Sequence, residues 1–298
     1  FNQLNKELYQ KFFMNTEELQ ACRDGYIYVH DMSARRDTMN CCLFNVKDVL
    51  TGGFEMGNLW YNEPKTLEVA FDVIGDIVLS AASQQYGGFT VPSVDLLLEP
   101  FAEKSYEKYY RRYIDMGLTA RIADREAMKD IQKDFDQGFQ GWEYKFNTVA
   151  SSRGDYPFIT MTFGTGTGKF AKIASITMLN VRRKGQGKKN CKKPVLFPKL
   201  VFLYDENLHG AGKELEDVFE AGILCSSKSM YPDWLSLTGE GYVAEIYKKY
   251  GAIISPMGCR AFLSPWFERG GMEPADAEDK PVFVGRFNIG AVSLHLPM

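Results

Sequence analysis

MGCRAFL, residues 257–263, sets a cysteine between a glycine and an arginine, directly after an apolar run that ends in proline, residues 253–256. Residues 252–254 read as a short buried strand. Gly258 permits a tight turn behind it, and Arg260 puts a charge beside Cys259. A thiol on a loop tip that follows a buried strand can reach a cavity, so Cys259 is a candidate catalytic group. Close by in sequence, GRFNIG (285–290) can bring Asn288 to the same cavity, where its amide can both donate and accept hydrogen bonds.

Outward from this loop, strands and helices alternate. Residues 156–163 and 195–204 read as strands, 172–180, 214–230 and 240–250 as helices, and 291–296 as a last strand. That order predicts an α/β fold with substantial parallel pairing. Towards the N-terminus, apolar residues recur at helical spacing after Pro64, which predicts a helix over 64–85 closed by Gly87 and Gly88. Further helices are predicted over 100–116 and 120–137. A tyrosine stripe on the first of them (Tyr106, Tyr109, Tyr110, Tyr113) reads as helix packing.

The chain has 298 residues, 45% of them hydrophobic and 14% aromatic, with a net charge of −3. That is enough for one large core. Near-neutral charge argues against a bulk nucleic-acid binder, and no apolar run approaches the roughly 18 residues of a membrane helix. Six scattered cysteines with no CxxC pair predict reduced thiols in a cytoplasmic protein and no metal site in this stretch. The ends, Phe1 and LHLPM, read as those of a piece of a longer protein.

Three further stretches carry candidate chemistry. FGTGTGKF (163–170) fails the Walker pattern, because Phe163 and Phe170 stand where glycine and Ser/Thr are needed. It is either a strand-to-helix connection or a set of backbone N–H groups for an anion. RRKGQGKKNCKK (182–193) reads as an exposed basic loop. In NCCLF (40–44), strand alternation lets only one of Cys41 and Cys42 face a given site, while the other packs into the wall. His30, followed by Asp31, is either a site residue or a structural histidine.

HDM, NCCLF, GGFEMGN, PKTLEVA, ASQQYGG, EPFAEKSYEKY, MGCRAFL and GRFNIGAVSLHLP follow one another along nearly the whole chain. In that order they resemble the anaerobic (class III) ribonucleoside-triphosphate reductases. The resemblance implies a ten-stranded α/β barrel of the glycyl-radical enzyme type, here as one partial catalytic domain over 1–298. Effector-binding and dimer-interface helices would lie at about 62–116. It implies that Cys259 on a finger loop becomes a thiyl radical and takes the 3′ hydrogen of the substrate ribose. Cys41 would supply reducing hydrogen, and Asn288 would hold the ribose hydroxyls. His30, Cys42 and Arg260 would line the pocket.

The same resemblance implies phosphate contacts to a dNTP or ATP effector by Lys65 and Lys108, on two different helices. Formate is the implied reductant, because an asparagine rather than a carboxylate stands at 288. A glycyl radical, a zinc site, a homodimer and a radical-SAM activating enzyme belong to the complete protein, so this stretch alone is expected to be inactive. Tyr28 stands where relatives often read His, and Ala261 where they read Ser. Any histidine role therefore falls to His30. Another glycyl-radical enzyme, or a nucleotide-binding scaffold without catalysis, are the alternatives.

Overall fold

The computed structural model describes residues 1–35, 38–149, 158–258 and 261–297. The chain opens with α1 (Asn2–Phe13), α2 (Thr16–Arg23), β1 (Ile27–Val29), β2 (Cys42–Leu43) and a short α3 (Val46–Leu50). A hairpin of β3 (Phe54–Met56) and β4 (Leu59–Tyr61) leads into α4 (Leu67–Ala82), β5 (Gly88–Val91) and the long pair α5 (Val94–Asp115) and α6 (Ala120–Thr148). Then come β6 (Phe158–Phe163), α7 (Lys169–Lys184), β7 (Gln186–Lys188), β8 (Cys191–Lys193) and β9 (Lys199–Tyr204). The remainder is α8 (Glu216–Ser229), β10 (Asp233–Ser236), α9 (Tyr242–Tyr250), β11 (Arg286–Phe287) and β12 (Val292–Leu294).

Among the described residues the main sheet has six strands in the order β10-β9-β6-β5-β2-β11. The first five run parallel, and β11 pairs antiparallel with β2. This confirms the α/β class with parallel pairing. Side chains alternate across the sheet, and here the two faces carry different chemistry. Phe89, Val91, Ile159, Met161, Phe163, Leu200 and Phe202 point into one core with α4 to α8. Each such burial stabilises by about 1.5–3 kcal/mol. The opposite face carries Gly88, Thr90, Thr160 and Thr162, with Thr90 directly across from Thr160. There a second, smaller core forms from Leu43, Leu203, Leu237, Ile254, Met257 and Phe283.

The element bounds depart from expectation in instructive ways. α5 begins six residues before Pro100, because Val94, Leu97, Leu98, Phe101 and Ala102 already form a buried helical stripe across the proline. α6 runs on to Thr148, carrying Phe139, Trp142 and Phe146 into the core. Residues 182–193 are not a loop: they are the last turn of α7 and the β7–β8 hairpin. Arg182 is itself buried against Glu143, at 2.8 Å.

Of residues 252–254 only Ile254 is fully buried, Ala252 and Ile253 are half-buried, and none of them forms a strand. The segment lies on the face of the sheet, where backbone ladders are already complete. Strand hydroxyls meet the two residues that follow it: Thr162 Oγ1 lies 3.1 Å from Ser255 Oγ, and Thr90 Oγ1 donates to the Pro256 carbonyl at 2.8 Å. The last strand is only three residues long and pairs with β1, away from the main sheet.

Candidate active site

Cys41 stands one residue before β2, and Asn288 one residue after β11. The antiparallel pairing of these strands brings the two together across 247 residues of chain. The Cys41 N–H donates to Asn288 Oδ1 at 3.1 Å, and the Asn288 N–H donates to the Cys41 carbonyl at 2.9 Å. Asn40 N–H adds a bond to the Asn288 carbonyl at 3.0 Å. With Oδ1 so engaged, what the amide offers a ligand is its NH2 donors.

The Cys41 thiol accepts a hydrogen bond from the Gly88 N–H at 3.1 Å. Gly87 and Gly88 are small by necessity. A Cβ at Gly87 would lie 2.6 Å from the Asn40 carbonyl oxygen, and one at Gly88 would collide with the Gly258 Cα. Gly258 has φ +66°, and a Cβ there would sit 3.4 Å from the Cys41 Sγ. The base of the 257–263 loop is therefore packed against the Cys41 thiol. Met257 and Ala261 face each other across an antiparallel bridge, with the Met257 N–H donating to the Ala261 carbonyl at 2.8 Å. Cys259 and Arg260 lie outside the described residues.

Cys42 turns the other way, as strand alternation requires. It joins the core on the helical side and donates to Gln85 Oε1 at 3.1 Å. Burial pushes its pKa up to about 12; the neighbouring Cys41 adds to the rise and the Gln85 hydrogen bond opposes it. Cys42 is a wall residue. Gln85 in turn donates to the Gly88 carbonyl at 2.7 Å, which braces the glycine pair from behind. Tyr86 donates to the Ile289 carbonyl at 2.6 Å and ties the same turn to the Asn288 segment.

His30 sits beside the β1–β12 pair, with its N–H donating to the Ala291 carbonyl at 3.1 Å. Its Nε2 lies 2.7 Å from Ser293 Oγ, and its ring meets Tyr28 edge-on at 4.7 Å. None of these partners belongs to the thiol cluster. Lys65 and Lys108 are both exposed, but Lys65 precedes α4 instead of lying on a helix. The two regions are nonetheless stitched together. Ser105 Oγ accepts from the Leu67 N–H at 2.7 Å, and Lys104 pairs with Glu63 at 3.1 Å, one turn of α5 before Lys108. Lys108 lines an open groove of about 610 Å³ with Lys104, Arg111 and Arg112, alongside the acidic Glu107 and Asp115.

The N–H groups of the glycine-rich turn after β6 are taken up by carboxyl groups of α5. Asp95 Oδ2 accepts from the N–H groups of Gly164 and Gly166, each at 3.0 Å, and Glu99 Oε1 accepts from Ala171 at 3.3 Å. Desolvation raises the Asp95 pKa, against the pull of the two N–H groups. Among the described residues no three His, Cys, Asp or Glu side chains converge on a metal-sized site, and no helix is long and apolar enough to cross a membrane.

The residues that sequence reasoning missed are Gln85, Tyr86, Thr90 and Thr160. Gln85 and Tyr86 lie within ASQQYGG, a motif read for its order along the chain and not for its contacts. The threonines carry no local signal, since hydroxyls on alternate strand positions are ordinary in β-structure.

Comparison with known proteins follows this geometry. The family model described as anaerobic ribonucleoside-triphosphate reductase matches residues 1–298. The chain is 36% identical over 283 residues to the anaerobic ribonucleoside-triphosphate reductase of Enterobacteria phage T4, covering 94% of this chain and 44% of that protein. To the protein of the same name from Escherichia coli (strain K12) it is 33% identical over 295 residues, covering 98% of this chain and 39% of the other. The chain thus spans about two fifths of the length of these relatives. Among solved structures, the anaerobic ribonucleotide reductase from Thermotoga maritima with glycerol in the active site superposes with a TM-score of 0.55 at 16% identity, covering 78% of this chain and 38% of that one. The same protein in complex with dATP and CTP gives 0.53 at 15% identity, over 78% and 39%. At that identity the likeness is one of fold.

Proposed function

The chain belongs to the anaerobic ribonucleoside-triphosphate reductase family, matched along residues 1–298, and from that premise we propose that the complete protein reduces ribonucleoside triphosphates to 2′-deoxyribonucleoside triphosphates in the cytoplasm. The observation that carries the reading is the contact of the Cys41 thiol with the base of the loop that leads into Cys259. A thiol held beside the root of the loop that carries Cys259 supports this reading, because hydrogen-atom chemistry on a sugar needs two thiols.

In this reading Cys259, as a thiyl radical, takes the ribose 3′ hydrogen. The Asn288 NH2 holds the ribose hydroxyls, and the 2′ hydroxyl leaves as water. Cys41 would give a hydrogen atom to the 2′ carbon and recover one from formate, and Cys259 would return the 3′ hydrogen and regain its radical. Formate supplies the two electrons and leaves as CO2, so that NTP and formic acid become dNTP, CO2 and water. What the glycyl radical of the complete protein would supply is the unpaired electron, installed by a radical-SAM enzyme. Zinc would bind outside this stretch. The five parallel strands would form half of a ten-stranded barrel and β11 the first strand of the other half, which would exclude the water that quenches radicals. The basic α5 groove with Lys108, and Lys65 nearby, suits the triphosphate of a dNTP or ATP effector at a homodimer contact over about 62–116. His30 and Arg260 remain pocket candidates.

The test uses the full-length protein, activated without oxygen and given ribonucleoside triphosphates with labelled formate. Deoxynucleotide and labelled CO2 are expected in equal amounts. Cys41→Ala and Cys259→Ala are each expected to abolish both while the glycyl-radical signal persists. Turnover in the Cys259→Ala protein sinks the mechanism.

A further inference from the structure

We infer that Thr90 and Thr160 are positioning residues, which hold the peptide leading into Cys259 against the Cys41 thiol. The inference deepens the reductase reading and rests on it for its catalytic consequence. Both threonines are fully buried, face the same side of the sheet and stand opposite each other on neighbouring strands. On a buried strand a valine would fill the same space without a polar group to satisfy. Here the hydroxyls are spent on the loop instead of on the sheet. Thr90 Oγ1 donates to the Pro256 carbonyl at 2.8 Å and accepts from the Gly258 N–H at 2.9 Å. Thr160 Oγ1 donates to the Gly258 carbonyl.

These bonds grip Gly258 from both sides. Its N–H is held by one strand and its carbonyl by the next. That carbonyl belongs to the planar peptide unit that continues into Cys259. Gly88 presses on the Gly258 Cα from the sheet side, so the loop base cannot settle deeper. Removing a hydroxyl leaves a buried peptide group unpaired and frees the loop to shift. A shift of about 1 Å in a reacting group can cost about 100-fold in rate.

The experiment compares Thr90→Val, Thr160→Val, Thr90→Ser and Thr160→Ser in the full-length protein by two readouts. The first is steady-state turnover. The valine variants are expected to lose at least about tenfold in kcat, with KM and the glycyl-radical signal unchanged, and the serine variants to recover most of it. The second needs no turnover: cross-linking of Cys41 to Cys259 by dibromobimane, mapped by mass spectrometry. The link is expected in the wild type and the serine variants, and at least about tenfold more slowly in the valine variants. Should a valine protein fail to fold, the alanine variant takes its place. Equal cross-linking rates, no cross-link in the wild type, or a serine variant as impaired as the valine one overturns the positioning role. A wild-type protein that cross-links but makes no deoxynucleotide overturns the reductase reading instead.

Discussion

Cys41 and Cys42 are chemically identical neighbours that the strand sends to opposite faces. Cys41 meets the Gly88 N–H and the loop base, and Cys42 meets Gln85 inside the helical core. Burial keeps Cys42 unreactive, since only the thiolate is a good nucleophile. Folding raises the Cys42 pKa from 9.0 to about 12, so the folded chain keeps a proton that the unfolded chain has lost. Stability from this thiol is therefore complete below pH 9.0 and is lost as pH rises towards about 12. Cys42→Ala is expected to flatten that alkaline loss in urea titrations. At pH 8, iodoacetamide is expected to modify the exposed Cys191 and spare Cys42; equal labelling contradicts the assignment of Cys42 to the wall. The division of faces was legible in the sequence. The partners were not, because Gly88 and Gln85 reach the two thiols from 47 and 43 residues away.

At the scale of elements, helical apolar spacing located α4 to α9, while their ends followed tertiary contacts. Pro100 reads as a first-turn residue, yet the buried stripe on both sides of it carries α5 through. The turn after β6 was legible as a possible anion cradle, but not that Asp95, on the neighbouring helix, would fill it. Asp95→Ala removes the acceptor for both Gly164 and Gly166, at a cost of about 1–3 kcal/mol for each buried N–H left unpaired. Asp95→Asn keeps an acceptor oxygen and sheds the buried charge that desolvation opposes. Urea unfolding is expected to show the alanine variant clearly less stable than the asparagine variant. The reverse order would mean that the carboxylate charge itself holds the turn.

Over the whole molecule, the sheet separates a helical core from a smaller core under the loop. A buried ion pair secures the helical side: Arg182 on α7 reaches Glu143 on α6 and donates to the Pro198 carbonyl at 2.7 Å, while Gln186 donates to the other Glu143 oxygen at 2.6 Å. Arg182 Nη1 has no described partner, which lowers the net value of the pair. Removing one partner costs far more than removing both, since it strands a buried charge. Arg182→Met is expected to cost about 3–5 kcal/mol in urea unfolding, and Arg182→Met with Glu143→Leu distinctly less. A double variant as damaged as the single one would show that the pair itself contributes the stability. In the sequence this arginine reads as one more cation in a basic run, because burial is a property of packing and leaves no mark on a charged stretch.

The sequence by itself determined the alternation of strands and helices, the opposite facing of two adjacent cysteines and the order of motifs that identifies the family. These depend on local periodicity and residue identity, which a linear chain carries in full. Only the tertiary structure decided that Asn288 clasps Cys41, that two threonines grip Gly258 and that an aspartate fills the glycine turn. Those contacts form between residues far apart in the chain, and their geometry comes from sheet register and close packing, which no single stretch encodes.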